Sequence, residues 1–395
     1  MKFFIKFFKS ILRYIFIAKL NGERYFSYLI CIRKYKSQIK KNGFQNSVQP
    51  GEKEYLKFWK KYSKRVEPYS YRLFSHYIKD PKLQKYILPE YIGFNLVDYY
   101  LNPINYRDFY SDKNSYSVFL KDTSFLPQTL LYRIGGTLIM SEMNQPAPWY
   151  NTKELADKFH KYDKIILKPS VGSASGIGVD LFVLTENGFK NNKGTFLDSD
   201  YLSNFGNDFI LQEAIKQHPY IAQFNESSVN TFRIVAYRSV KDEEVYIMTS
   251  YIRIGNKGAF IDNAHAGGKF IGIHPDTGIL NKYVCDQYGQ ITNTYNEIDF
   301  STSQFKIPSW DKIIDAVKEI SKKVLHHRYI AFDMTLDKDN NPKMIEFNIG
   351  NTAFWSAMFA GQLCFGDKTE EIMGYCKNQE IKRKNGEIKH YYAYI

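Results

Sequence analysis

Residues 329–348 read YIAFDMTLDKDNNPKMIEFN, two strand-like runs around a turn-rich DKDNNP. A hairpin centred on Asp339 and Asn340 sets Asp333 opposite Glu346, Phe332 opposite Phe347 and Met334 opposite Ile345. Side chains alternate faces along a strand. Asp333, Glu346 and Asn348 therefore share one face, while Phe332, Met334, Ile345 and Phe347 share the other, the expected core face. Two carboxylates directly opposite each other repel, and a cation between them would remove that cost. Three oxygen-bearing side chains on one face suit Mg2+, which takes hard oxygen ligands and keeps waters or phosphates as its other partners. The same residues read equally well as the wet face of a half-exposed hairpin.

A second stretch, residues 164–180, reads KIILKPSVGSASGIGVD. An apolar strand (Ile165, Ile166, Leu167) ends in Lys168 and Pro169, and a loop with Ser170, Ser173, Ser175, Gly172, Gly176 and Gly178 follows. Glycine lets a backbone approach a ligand closely, and successive N–H groups in such a turn cradle anions. Lys168 would add a point charge for a phosphate. The spacing is not that of a P-loop, which ends in Gly-Lys-Ser/Thr. Alone, the glycines read as a flexible hairpin tip; the pairing with a separate oxygen-ligand face is the rarer combination.

Together these segments resemble the ATP-grasp enzymes, and the matching residues run in that family's order. Asp112-Lys113-Asn114 resembles the first nucleotide lysine, and Lys168-Pro169 the second, with Ser170, Ser173 and Gly176 in the loop closing over the phosphates. Gln212-Glu213-Ala214-Ile215 resembles the hinge that meets adenine and ribose, and Asp333, Glu346 and Asn348 resemble the magnesium ligands. The resemblance covers residues 112–375. It is strongest to the sugar-transfer-associated ATP-grasp proteins of surface-polysaccharide synthesis, on Asn230-Thr231-Phe232-Arg233, on Arg253-Ile254-Gly255 and on DNAHAGG at 262–268. It implies an α+β fold, with two lobes holding ATP and two Mg2+ ions, preceded by a helical N-terminal region. The lid loop is longer and richer in serine than the family's tightest versions.

Charge divides the chain. The formal net is +13, yet residues 1–41 hold eleven Lys/Arg against one acid, and residues 377–395 hold five against two, so everything between nets to zero. A nucleic-acid surface would spread basic residues through the folded body; this distribution argues against one. The four cysteines are widely spaced and form no CxxC, which argues against a zinc site and a disulfide framework and fits a cytosolic compartment. The 32 Tyr and 30 Phe are unusually many.

The expected organisation is a basic amphipathic segment (1–41), a helical region (42–110), a catalytic body (111–376, lid about 120–210 and metal-binding lobe about 211–376) and a basic tail (377–395). Lys2, Lys6, Lys9 and Arg13 recur at steps of four, three and four with Phe and Ile between them, the pattern of a helix lying in a membrane interface. No 18-residue run is free of charge, so a span is not expected. The open alternatives are attachment to the inner face of the cell membrane and packing of the wide apolar face on the protein itself. Pro68, Pro81, Pro89 and Pro103 punctuate the helical region.

Within the body, residues 231–237 and 245–254 read as strands that carry Arg233 and Arg253, and residues 310–325 read as an amphipathic helix. Arginine suits planar recognition of a carboxylate or phosphate; the alternative is an ordinary sheet-surface arginine. His265 is either a general base or a solvated loop residue. The expected function is an ATP-dependent carboxylate–amine ligase working through an acyl-phosphate, joining an amine or amino acid to a sugar carboxylate in capsule, exopolysaccharide or O-antigen synthesis. A kinase in the same pathway and a non-catalytic scaffold are the alternatives.

Overall fold

The structure, a computed structural model, describes residues 2–120, 124–172, 176–258, 267–350, 352 and 354–387, backbone only for residues 2–17. The chain forms two compact units: residues 1–101, 288–290 and 353–389, and residues 102–287, 291–352 and 390–395.

The first unit is helical. Its longest element is the N-terminal helix Lys2–Lys41, about 60 Å at 1.5 Å per residue. Shorter helices follow at Glu52–Trp59 and Tyr69–Phe74, the second starting directly after Pro68. Much of the chain's aromatic wealth goes into this core: Tyr35, Tyr55, Trp59, Tyr71 and Phe74 are fully buried. Tyr35 meets Phe74 edge-on at 5.4 Å, an arrangement worth about 0.5–1.5 kcal/mol beyond its area. The helix Thr369–Asn385 belongs here too and buries Ile372, Met373 and Cys376. The sequence division at residue 377 therefore falls inside one helix, because both sides of that point pack into the same core. All four cysteines are buried and none forms a disulfide.

The second unit is α+β. Its strands are β1 (Thr129–Ile134), β2 (Thr137–Met140), β3 (Gln145–Pro146), β4 (Lys164–Pro169), β5 (Asp180–Thr185), β6 (Gly188–Asn191), β7 (Phe209–Glu213), β8 (Thr231–Arg238), β9 (Val245–Ile254), β10 (Lys269–Gly272), β11 (Val284–Cys285), β12 (Ile291–Thr292), β13 (Thr294–Tyr295), β14 (Ile298–Asp299), β15 (Tyr329–Leu336) and β16 (Pro342–Asn348). Among the described residues they make two seven-stranded sheets, ordered β3-β2-β1-β7-β4-β5-β6 and β12-β11-β10-β9-β8-β15-β16, and a small β13-β14 ladder. The pairings are antiparallel throughout.

Each sheet has one covered face. In the first, Leu131, Ile165, Leu167, Phe182, Phe209 and Leu211 pack into a core that also takes Leu155 and Leu202. These last two come from the helices Thr152–Phe159, started by an Asn151–Glu154 capping box, and Ser199–Phe205. In the second sheet, Phe232, Ile234, Ile252, Phe332, Met334 and Phe347 pack with Ile313, Val317 and Ile320 of the helix Trp310–Lys323. Each such apolar side chain, fully buried, contributes about 1.5–3 kcal/mol. The opposite faces carry the polar residues.

The β15–β16 hairpin departs from the expected register at one point. Asp333 pairs with Glu346 and Phe332 with Phe347, but Met334 pairs with Met344, with a bulge after Asp333. Ile345 is therefore not the core partner of Met334. The Met344 N–H donates to the Phe125 carbonyl at 2.6 Å, and Met344 rather than Ile345 is fully buried. The extra residue keeps both Phe347 and Met344 facing inward.

Candidate functional site

On the uncovered face of the second sheet, antiparallel pairing sets Arg233 of β8 beside Asp333 of β15, and Glu346 of β16 on the other side of Asp333. Asp333 is buried, and its carboxylate accepts from Arg233 Nε at 2.5 Å and from Arg233 Nη2 at 3.0 Å. Arg253 Nη2 lies 3.0 Å from the same carboxylate, while Arg253 Nε donates to Thr231 Oγ1 at 2.8 Å. Burial alone would push the Asp333 carboxyl up; the charges of Arg233 and Arg253 outweigh it and hold it below the usual carboxylate range. Glu346 has its own cation, Lys113 Nζ at 3.3 Å. The repulsion expected between the two facing carboxylates is thus relieved by protein cations, one set for each acid.

Lys113 follows Asp112, whose side chain accepts from the Asn114 N–H at 3.0 Å and starts the turn Lys113–Ser115. The Lys113 N–H donates to the Ser170 carbonyl at 3.0 Å, and the Ser170 N–H donates to the Asp208 carbonyl at 3.2 Å. These two bonds bring Lys113 to the end of β4, where Lys168 stands. Lys168 is buried and forms no ion pair among the described residues. Burial, and then the charge of Lys113, lower its ammonium pKa to about 8, with Glu346 opposing the shift. Ser170 Oγ is buried without a hydrogen-bond partner among the described residues.

Lys168 pairs with Ile210 and Ile166 with Gln212, so these four share the uncovered face of the first sheet. Gln212 Nε2 donates to Thr129 Oγ1 at 3.1 Å. The Glu213 carboxylate accepts from the Gln128 N–H at 2.9 Å. The N–H groups of Glu213 and Ala214 are taken by the carbonyls of Gln128 and Lys164, and Ile215 is half-buried. After β4, Gly172, Gly176 and Gly178 all have positive φ, between 66° and 75°. A side chain at Gly178 would also press on Pro169 at 3.1 Å. Ser173 and His265 lie outside the described residues.

Lys113, Lys168, Arg233, Arg253, Asp333 and Glu346 thus form one linked cluster of four cations and two carboxylates. Asn348 lies two residues from Glu346 on the same strand face, and its Nδ2 has no partner among the described residues. Among these residues no group of three His, Cys, Asp or Glu side chains is placed for a metal ion. With Asp333 and Glu346 as the two acids, an ion here would take Asn348 as third ligand. The donor chemistry fits Mg2+: two carboxylates and an amide oxygen. A carboxylate has about four lone-pair positions; the arginines occupy three of Asp333's, which leaves one.

Sequence reading did not find Tyr116, which is buried against the hairpin. Its ring stacks on Phe347 at 5.0 Å, its hydroxyl accepts from the Phe347 N–H at 3.4 Å, and burial followed by the nearby Glu346 pushes its pKa well up. Nothing in YSVF marks it out; the contact is between residues 231 apart in the chain.

The family model for sugar-transfer associated ATP-grasp proteins matches residues 109–369. No curated protein matches the chain. Among solved structures, an ADP complex of N5-carboxyaminoimidazole ribonucleotide synthetase aligns at 13% identity and TM-score 0.35, covering 68% of this chain and 52% of that one. D-alanine–D-alanine ligase from Bacillus anthracis aligns at 12% and 0.36, covering 71% and 70%. L-amino acid ligase from Bacillus licheniformis aligns at 11% and 0.32, covering 68% and 49%. The chain spans about half the length of the first and third.

Proposed function

The chain belongs to the sugar-transfer associated ATP-grasp family, and on that premise we propose that it is an ATP-dependent carboxylate–amine ligase. The observation that carries the reading is the pair of buried lysines, Lys113 and Lys168, close enough that one lowers the proton affinity of the other. Buried like charges are costly unless compensated, and their cluster holds more cations than anions. A polyphosphate is the ligand such an excess suits, with Ser170 and Gly176 at its edge; Ser173 is the further candidate that the sequence of the same loop offers. The face shared by Ile166, Ile210 and Gln212 suits a flat base, with Glu213, Ala214 and Ile215 beyond it.

Glu346, Asn348 and the free position of Asp333 would hold Mg2+, two ions in the fullest reading. When bound, the metal spreads phosphate charge. Lys113 and Lys168 neutralise the phosphates, and Arg233 or Arg253 orients the substrate carboxylate. A carboxylate oxygen attacks the γ-phosphorus, the bond to the β-phosphate oxygen breaks, and ADP leaves with that electron pair. An amine then attacks the acyl-phosphate carbon; the amide forms, phosphate leaves and the amine gives up a proton, for which His265 is the candidate acceptor. Rate comes mostly from positioning and charge. The family's association with sugar transfer supports a sugar-linked setting, and we read the substrate as a carboxylate on a sugar or amino acid in surface-polysaccharide synthesis; the basic N-terminal helix suits work at the cytoplasmic face of a membrane.

The test is release of ADP and phosphate by the full chain with Mg-ATP, against pairs of uronic or amino acids with amines, Glu346→Gln serving as control. The expected result is turnover that needs both partners, moves one carboxylate oxygen-18 into phosphate and disappears in the variant. ADP formed with no free phosphate would replace the ligase with a kinase.

A further inference from the structure

The N-terminal helix Lys2–Lys41 is fastened to its unit by one face. Leu20, Cys31, Tyr35 and Ile39 are buried, and Arg24 on the same side meets Glu380 at 3.0 Å. At 100° per residue these positions cluster about one side of the helix. The opposite side carries Phe26, Leu29 and Ile30, which are 66%, 43% and 51% exposed. Lys19, Arg33 and Lys40 are exposed along that side, with Glu23 the one acid in residues 1–41. On a continuous helix, positions 4, 8, 11, 12 and 15 (Phe, Phe, Ile, Leu, Ile) lie in phase with 26, 29 and 30. Among the residues whose side chains are described, the exposed apolar stripe is formed by Phe26, Leu29 and Ile30, on the side turned away from the buried residues that fasten the helix.

We propose that this stripe is a docking surface for an anionic lipid bilayer, with the helix lying along the membrane and Phe26, Leu29 and Ile30 in contact with it. The inference rests on reading residues 1–20 as a membrane-surface segment, and extends the contact into the part of the helix anchored to the protein. Three observations select a lipid surface. No helix is long and apolar enough to cross a membrane, among the residues searched, so the stripe suits the interface. Basic residues ring the exposed apolar group, which is how interfacial helices combine buried apolar area with attraction to anionic headgroups. Pairing with a second copy would bring two segments of the same positive sign together, which disfavours self-association.

The experiment is co-sedimentation of the full chain with vesicles of phosphatidylcholine alone and of phosphatidylcholine with phosphatidylglycerol. The wild type is expected to bind only the anionic vesicles, and less as salt rises. Replacing Phe26→Ser, Leu29→Ser and Ile30→Ser together is expected to weaken binding at least ten-fold with no change in melting temperature. In a separate variant, Phe26→Trp fluorescence should shift to the blue on anionic vesicles alone. Equal binding by wild type and triple variant would overturn the extended stripe and leave the membrane reading in place. No binding by the wild type would overturn both. A dimer in light scattering that the triple variant dissociates would make the stripe a self-association surface instead.

Discussion

The helical unit and the α+β unit both bury ionised side chains and treat them differently. In the helical unit, Glu52 takes Arg72 at 2.7 and 3.0 Å. Glu67 accepts from the N–H of Ser70 at 3.0 Å, from the N–H of Tyr69 and from the Ser70 hydroxyl, which favour its charged form although burial, the larger effect, still pushes its carboxyl up. Burial works against ionisation of Glu380, but Arg383, Arg24 and Tyr100 outweigh it and hold its carboxyl at about 2. Each of these acids has donors at hand and does structural work. In the α+β unit the imbalance runs the other way: Lys168 is buried beside another lysine, and its own burial favours losing the proton. The matched charges hold the fold together; the unmatched Lys168 is the residue we propose for the phosphates.

The hardest test of that contrast is Asp333→Asn. Removing one partner of a buried ion pair costs about 3–5 kcal/mol, and two arginines would lose their counter-charge at once. Denaturant unfolding should show that loss; a change below about 0.5 kcal/mol, the usual range for a surface site, would remove Asp333 from the structural side of the comparison. Lys168→Met comes next. Binding of a non-hydrolysable ATP analogue with Mg2+, measured by calorimetry, should weaken about 100-fold, which is about 2.7 kcal/mol. The ligand-free protein should melt higher, because a buried unpaired charge is gone. A variant that binds normally, or melts lower, would mean that Lys168 is compensated within the protein. Glu52→Gln should cost about 1–3 kcal/mol, the penalty for disrupting a hydrogen-bonded charge pair, and leave analogue affinity unchanged. Weakened affinity would erase the division of labour between the units.

What was legible in the sequence follows the range of each interaction. Local patterns carried far: the Asp333–Glu346 pairing follows from a single hairpin, and the helix expected over 310–325 follows from its apolar spacing and forms at Trp310–Lys323. The bulge that exchanges Ile345 for Met344 depends on Phe125, more than 200 residues earlier, and no period-2 pattern contains it. Arg233 and Arg253 read as cleft residues, but their hold on Asp333 needs β8 to lie beside β15, a pairing of residues 100 apart. The same holds for the Lys113–Ser170–Asp208 bonds that join the two lysines. Residue types drew attention to these positions; which charges cancel was decided by strand order.

The smallest expected effect is also the most specific. With an ammonium at about 8 in the folded chain against about 10.4 when unfolded, Lys168 is protonated in both states below about pH 8, and the full penalty for its buried charge is present there. Between these two values the unfolded chain binds more protons, so this group's contribution to stability rises with pH. From about pH 7.5 to about pH 9 the gain is about 1 kcal/mol. The buried thiols of Cys31, Cys285, Cys364 and Cys376 are pushed up and act oppositely, because the unfolded chain loses their protons first. The quantity to follow is therefore the stability difference between Lys168→Met and wild type, in which the thiols cancel. That advantage should shrink by about 1 kcal/mol across the window. Its pH dependence should vanish once the ATP analogue saturates the wild type, since a bound polyanion restores the lysine's proton affinity. A difference that stays constant with pH would mean that Lys168 keeps an ordinary pKa and that its surroundings already hold the anion it needs.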